Sequence, residues 1–214
     1  MKLLLEDGGA VYIEGIIDRV DTFRGKDEDD PSNYVRIVDY KTGGDRFNAD
    51  ETKAGIRLQL ILYLEAAMGG IENARPAGVF YFPAGEKTED ITGKTAEDGR
   101  VYETNMRLDG VLVKKNDIIE GMDSTIGVNE ESQVIPVRRS GDEYNNLRNS
   151  HRAMESEEFD EMLKGAGSVI QEAAESLAGG CVDAAPGRSG SFDACRYCGY
   201  GSICHIKITG GNTR

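Results

Sequence analysis

The amino-acid sequence predicts one α/β domain carrying a cysteine-rich C-terminal appendage. Three observations lead there. The first third alternates β-branched strands, a polar turn and a helical apolar spacing. A further apolar run at 77–82 reads as a strand buried in the same sheet. Three of the four cysteines crowd into the last twenty residues, away from any core pattern.

Val11 to Asp21 is rich in Val and Ile, interrupted only by Gly15, and predicts a first strand. Arg24 to Asn33 (RGKDEDDPSN) is a polar turn, and Tyr34 to Tyr40 is a second strand. So short a connection implies an antiparallel pair. Thr42-Gly43-Gly44 ends the second strand. From Glu51 to Met68 the spacing is helical, with Leu60, Ile61, Leu64, Ala67 and Met68 on one side and Gly69-Gly70 as the stop. Ala77 to Phe82 (AGVFYF) is the third strand. Ala84 to Asp109 is charged and Gly-rich, an exposed excursion. Val111 to Val113 and Gln133 to Val137 are short strands. Ser156 to Ala178 is a helix with Ser156 as N-cap, acids in its first turn and Gly179-Gly180 beyond its end, though Gly165 and Gly167 weaken it. From Cys181 the chain is irregular. Without an internal repeat or a second hydrophobic core, the expected division is a domain over 1–180, with 84–140 as an insertion, and a tail over 181–214.

Composition excludes several functions. With 39% hydrophobic against 29% charged residues in 214, a core is attainable. No stretch approaches the ~18 apolar residues of a membrane span. Met1 to Leu5 meets Glu6-Asp7, too short for a signal sequence. The expectation is a cytoplasmic protein with no membrane contact. Thirty-eight acids against 25 bases, a net charge of −13, exclude coating of nucleic acid by bulk charge. They do not exclude an enzyme acting on nucleic acid, because metal-dependent sites need carboxylates. Four cysteines are too few for a disulfide scaffold of this size.

The chemistry falls at the ends of the first two strands. The second ends Val38-Asp39-Tyr40-Lys41, so Asp39 and Lys41 share a face and Tyr40 points away. The first carries Asp18 in Gly15-Ile16-Ile17-Asp18-Arg19-Val20-Asp21, and a suitable antiparallel register sets Asp18 beside Asp39. Two carboxylates and the Tyr40 carbonyl offer hard oxygen ligands for Mg2+ or Mn2+. Such a metal polarises a phosphodiester and acidifies a water, while Lys41 stabilises the charge that develops. On the helix, Gln59 and Tyr63 are i,i+4 neighbours, aimed at the attacking water or phosphate and at the DNA backbone. An Asp-X-Lys triplet alone is usually a solvated strand end; the ordered set gives the specificity. For Arg19 and Asp21, a salt bridge steadying the strand end is as good a reading as a direct role.

Gly15-Ile-Ile-Asp18-Arg-Val-Asp21, Val-Asp39-Tyr-Lys41-Thr-Gly and Gln59-x-x-x-Tyr63 resemble the three signature motifs of the RecB-like branch of the PD-(D/E)XK nucleases. The resemblance implies a restriction-endonuclease-like fold, a mixed sheet flanked by helices. It assigns metal binding to Asp18 and Asp39, the catalytic lysine to Lys41 and the helix motif to Gln59 and Tyr63.

The tail reads Cys195-Arg-Tyr-Cys198-Gly-Tyr-Gly-Ser-Ile-Cys204, a C-x2-C-x5-C spacing that suits one soft centre, zinc or an iron–sulfur cluster. Zinc needs a fourth ligand, and His205 adjoins Cys204 too closely to serve well. The spacing also resembles the C-terminal staple of RecB-like nucleases of the AddB type, the B subunits of ATP-dependent helicase–nucleases. That implies a 4Fe–4S cluster shared with an upstream fourth cysteine. Arg107-Leu-Asp-Gly110-Val-Leu-Val, Met122-Asp123, Val134-Ile-Pro136-Val and Glu157-Glu-Phe159 resemble internal segments of the same type. No cysteine precedes Cys181, so the expectation is a C-terminal piece of a longer subunit that holds its cluster poorly or not at all; Cys181 reads as a bystander.

Lys114-Lys115 and Arg138-Arg139 are the densest basic pairs and candidate phosphate contacts, with solvated loop charge as the default. His151 reads as a surface residue. No Walker motif occurs, so ATP hydrolysis is expected elsewhere. The resemblance implies a Mg2+-dependent DNA exonuclease domain, cutting the 5′-terminated strand that an A-type helicase–nuclease subunit delivers during double-strand-break repair and recombination. Competing readings are a free-standing CRISPR-adaptation-type nuclease and a catalytically inert, metal-stapled DNA-binding or assembly module.

Overall fold

A computed structural model describes residues 1–26, 30–43, 46–84, 106–147, 150–189 and 192–204. Most of the charged excursion expected at 84–109, part of the acidic turn at 27–30, and His205 lie outside the described residues. The chain forms two compact units: Met1–Ile13 with Ala49–Leu58 and Lys164–Arg214, and Glu14–Asn48 with Gln59–Leu163. No helix among the described residues is long and apolar enough to cross a membrane.

In the first unit, β1 (Lys2–Leu4) pairs antiparallel with β2 (Ala10–Tyr12). The second unit holds the sheet, opened by β3 (Arg19–Arg24) and β4 (Asn33–Lys41), antiparallel from Arg19↔Val38 to Arg24↔Asn33. The single first strand expected over Val11–Asp21 is therefore two. Ala10–Tyr12 joins the hairpin, 13–18 carries no strand, and β3 begins at Arg19. Gly15 sits where a side chain has little room: a Cβ there would lie 3.1 Å from the Tyr63 ring. At the other end β3 runs on to Arg24, because the Phe23 and Tyr34 rings stack at 5.6 Å.

The helix expected over Glu51–Met68 is also two, α1 (Ala49–Lys53) and α2 (Gln59–Met68). Between them Gly55 (φ 77°) and Arg57 (φ 56°) are left-handed, a conformation that ends a helix. Arg57 Nε pairs with Glu51 Oε2 at 2.8 Å and ties the break together. As a result Gln59 is the first residue of α2 rather than a mid-helix residue.

From α2 the chain enters β5 (Ala74–Pro83), which pairs parallel with β4, so α2 is the crossover that parallel pairing requires. β6 (Asp109–Val113) returns antiparallel to β5, with Asp109 opposite Tyr81. α3 (Asn116–Met122) follows, then the hairpin of β7 (Val137–Ser140) and β8 (Glu143–Asn146). The strand expected at 133–137 is displaced towards the C-terminus. The Ser132 hydroxyl accepts the Val134 and Ile135 N–H groups, holding that segment in a bend, and Pro136 has no N–H to give a ladder. β9 (Ala153–Met154) adds parallel to β6, giving the order β3-β4-β5-β6-β9 among the described residues. This is the mixed sheet of the expected α/β fold.

The core of this unit is mostly aliphatic with a few buried rings. Val35, Ile37, Phe80 and Leu112 from the strands, Leu60, Ile61 and Leu64 from α2, and Ile118 and Ile119 from α3 are fully buried. α4 spans Ser156–Ala178 as expected; its first turn takes the Phe159 N–H on the Glu155 carbonyl, one residue before the expected cap. Phe159 and Met162 are buried within its opening turns. In the first unit, β10 (Arg188–Ser189) and β11 (Phe192–Asp193) form a short hairpin that leads into a 3-10 turn at Ala194–Tyr197.

Candidate active site

β4 is buried at Tyr34, Val35 and Ile37 to Asp39, and its C-terminal end carries Asp39, Tyr40 and Lys41. There Asp39 is 3% exposed. Its Oδ2 accepts no hydrogen bond among the described residues and faces Lys41 Nζ at 2.6 Å. A buried carboxylate oxygen without a donor is expensive unless a cation occupies its free side. Carried one residue beyond Arg19↔Val38, the β3–β4 register sets Asp18 against Asp39. Asp18 Oδ2 accepts the Tyr40 N–H at 2.9 Å, which fixes it at that strand end.

Lys41 is held from three sides. Besides Asp39, its Nζ donates to Gln59 Oε1 at 3.0 Å and lies 5.4 Å from the centre of the Tyr81 ring. Gln59 Nε2 in turn donates to Tyr63 Oη at 3.0 Å. The direction of these bonds matters. The Gln59 amide accepts from the lysine and donates to the phenol, so the Tyr63 hydroxyl keeps its own proton for another acceptor. Asp18, Asp39, Lys41, Gln59 and Tyr63 thus converge at one end of the sheet.

Asp39, Tyr81 and Asp109 form a row across β4, β5 and β6. Asp109 Oδ2 accepts the Phe47 N–H at 2.8 Å, and its Oδ1 pairs with Arg152 at 2.9 Å. Arg152 donates to the Phe47 carbonyl at 3.0 Å and lies over the Phe47 ring. Phe47, six residues after Lys41, is therefore clamped through its backbone and its ring. Sequence reasoning missed this clamp; the one available signal was an acid placed just before Gly110 at the start of a strand. Both charged partners are partly solvated, which discounts the ion pair. Arg152→Met is expected to cost about 1–2 kcal/mol, mostly through the backbone hydrogen bonds, read as a lower midpoint in urea.

Asp21 shares its carboxylate between Arg19 (2.9 Å) and Arg36 (2.7 Å). Burial works against the ionised form, yet the hydrogen bonds from Arg19 and Arg36 outweigh it and hold this pKa below the usual carboxylate value. This is the salt-bridge reading of Arg19 and Asp21. The basic pairs have bonding partners of their own. Lys114 and Lys115 follow β6 at the opposite end of the sheet, where Lys114 pairs with Glu155 and Lys115 donates to Tyr34 Oη at 2.6 Å. Arg139 donates to the Gly141 carbonyl and Arg138 to that of Asn129. His151 is exposed.

Among the described residues no three His, Cys, Asp or Glu side chains are grouped to hold a metal by themselves. At the strand ends the donors are two carboxylates and a main-chain carbonyl, hard oxygens that fit Mg2+ or Mn2+ rather than a soft ion. None of the four cysteines is in a disulfide. Cys195 lies in the 3-10 turn and Cys198 follows its end; the Asp193 carboxylate accepts the Cys195 N–H at 2.9 Å. The Cys204 N–H closes a turn on the Tyr200 carbonyl at 2.9 Å.

The model of the PD-(D/E)XK nuclease superfamily matches residues 1–205. Among curated proteins the chain is 32% identical over 97% of its length to the B subunit of the ATP-dependent helicase/deoxyribonuclease of Thermoanaerobacter sp. (strain X514). It is 32% identical over 94% of its length to the protein of that name from Alkaliphilus metalliredigens (strain QYMF), and 31% identical over 98% to that of Clostridioides difficile (strain 630). It spans 18% of the length of each of these relatives. The family match over nearly the whole chain agrees with a mixed sheet whose strand ends gather two aspartates and a lysine, and the chain belongs to the PD-(D/E)XK nuclease superfamily.

Proposed function

We propose that the chain is a Mg2+-dependent DNA exonuclease domain that works within a helicase–nuclease complex, cutting the 5′-terminated strand during double-strand-break repair and recombination. The observation that carries this reading is the convergence of Asp18, Asp39, Lys41, Gln59 and Tyr63 at one sheet end. The relatives' names, which join a helicase to a deoxyribonuclease, support the choice of DNA and of an A-type helicase–nuclease subunit as partner.

In this reading Asp18, Asp39 and the Tyr40 carbonyl hold the metal. When bound, the metal supplies a Lewis acid for the phosphodiester and lowers the pKa of a water. Lys41, engaged with Gln59 and with Asp39, offers its remaining proton to a phosphate oxygen as negative charge develops. Gln59 fixes the ammonium in place, and the Tyr63 hydroxyl donates to a backbone phosphate. Arg138 and Arg139 are candidate phosphate contacts, and Lys114 and Lys115 act on DNA only at a distance from this centre. Lys115 reaches Tyr34, five residues up β4 from Asp39, or about 16 Å. Cys195, Cys198 and Cys204 supply three thiolates towards a 4Fe–4S cluster, whose fourth ligand comes from elsewhere.

The test uses linear and circular single-stranded DNA with Mg2+ or EDTA. Release of mononucleotides from the 5′-labelled linear strand, with EDTA stopping it and the circle left intact, is the expected result. Cleavage indifferent to EDTA would exclude the metal, and equal loss of the circle would exclude an exonuclease. Within this reading, Gln59→Ala frees Lys41 and Tyr63 together and is expected to lower the turnover about 10- to 100-fold. Tyr63→Phe keeps the ring against Gly15 and removes one donor, so its loss is expected to be smaller. Single-turnover kinetics distinguish the two.

A further inference from the structure

We propose that Tyr40, Phe82 and Arg19 form a stacking site for a base of the strand being cut, on the sheet face opposite Asp39 and Lys41. The proposal rests on the nuclease reading and names a subsite for its substrate. β4 alternates, so the Tyr40 ring leaves the strand on the other side from its two neighbours. It is 43% exposed, while Val38, two residues earlier on the same face, is 2% exposed. An aromatic ring is thus presented at the strand end where the face stops being covered.

That ring is held in one orientation. Tyr40 and Phe82 are neighbours in the parallel β4–β5 register, and their rings meet edge to face at 5.4 Å. Arg19, opposite Val38 in the β3–β4 register, lies on the same face as Tyr40 and donates to Asp21 at 2.9 Å. One carboxylate, Asp21, serves two guanidinium groups, Arg19 and Arg36, so Arg19 does not have that carboxylate to itself. A preoriented ring beside an arginine is what a nucleotide, apolar face and anionic backbone together, requires. Tyr40 lies one residue from both Asp39 and Lys41, so its Cα is about 3.8 Å from theirs. A nucleotide adjoining the scissile phosphate can therefore fold over the end of β4 and place its base on the ring. A bare phosphate backbone has nothing to put there.

The chain contains no tryptophan, so Tyr40→Trp introduces a lone indole fluorophore at the stacking position. The 214-residue chain is titrated with oligo(dT) and with an abasic strand of equal length, in Ca2+ to suppress cleavage. Expected is quenching of the indole fluorescence by oligo(dT) and none by the abasic strand. Tyr40→Leu and Phe82→Leu, checked for folding by circular dichroism, are expected to weaken oligo(dT) binding about tenfold and to leave abasic binding unchanged. Equal responses to both strands, or no response to either, would overturn the stacking site. Mg2+-dependent cleavage is measured in parallel on the unaltered chain. Base-dependent quenching without any cleavage would refute the nuclease reading and keep the stacking site; cleavage with base-independent quenching would do the reverse.

Discussion

Asp39→Ala is expected to lower Mg2+-dependent cleavage of single-stranded DNA on the order of 10^3-fold, a loss of about 4 kcal/mol in transition-state stabilisation. Asp39 supplies a buried carboxylate whose Oδ2 is ion-paired with Lys41 Nζ at 2.6 Å. Its removal takes away a proposed metal ligand and the anion that draws Lys41 to the centre. The fold has less to lose. Lys41 keeps its bond to Gln59 and is 24% solvent-exposed, so its charge can hydrate. Removing one partner of a buried ion pair is costly when the other charge stays buried, and here the Lys41 ammonium reaches solvent, which limits that cost. The expected pattern is therefore an inactive protein that melts close to the parent. Asp39→Asn, which keeps the shape and removes the charge, should behave alike. Cleavage by either variant at the parent's rate would refute the site.

The second large effect is on folding. Gly110→Ala is expected to destabilise the chain by roughly 3 kcal/mol or more, lowering the melting midpoint by about 6–12 °C. A Cβ at Gly110 would penetrate the Val79 carbonyl oxygen and press on the Phe80 backbone. The obstacle is main chain of the paired strand, so no rotamer change relieves it, and β5 and β6 must separate where Gly110 meets Phe80. The same substitution at Gly165 has the opposite sign. That residue lies within α4 with nothing within 4 Å of its Cβ position. Ala there is favoured by about 0.8–1 kcal/mol of helix propensity. Thermal melts of the two variants beside the parent would read both signs, and a Gly110→Ala chain as stable as the parent would contradict the β5–β6 packing.

Much of this was legible in the chain itself. The periodicity that changes from β-branched strands to a helical stripe places β4, α2, β5 and α4, because each has a buried face that dictates spacing. The boundaries that failed did so where a non-local neighbour decides. Ile13 to Asp18 has strand-like composition, but Gly15 lies under the Tyr63 ring. Ala54 to Leu58 continues a helical pattern, but Gly55 and Arg57 adopt left-handed backbone. Gln133 to Pro136 reads as strand, but the Ser132 hydroxyl captures its N–H groups. The grouping of Asp18, Asp39, Lys41, Gln59 and Tyr63 was readable because strand register and an i,i+4 pair fix it. The Asp109–Arg152–Phe47 clamp was not, since it joins three segments far apart in sequence, and neither composition nor period marks them.

The interleaved units have a consequence for the order of events during synthesis. In the first unit, the Glu6 N–H donates to Glu175 Oε1 at 2.9 Å and Gln171 donates to the Leu4 carbonyl at 2.8 Å, across 169 and 167 residues. At ribosomal speed those partners emerge about 10–30 s after the residues that await them. The segments bearing Asp18, Asp39 and Lys41 find theirs within the stretch from Glu14 to Leu163. A nascent chain can thus pair β3, β4 and β5 while the β1–β2 hairpin is still waiting for α4 to leave the exit tunnel.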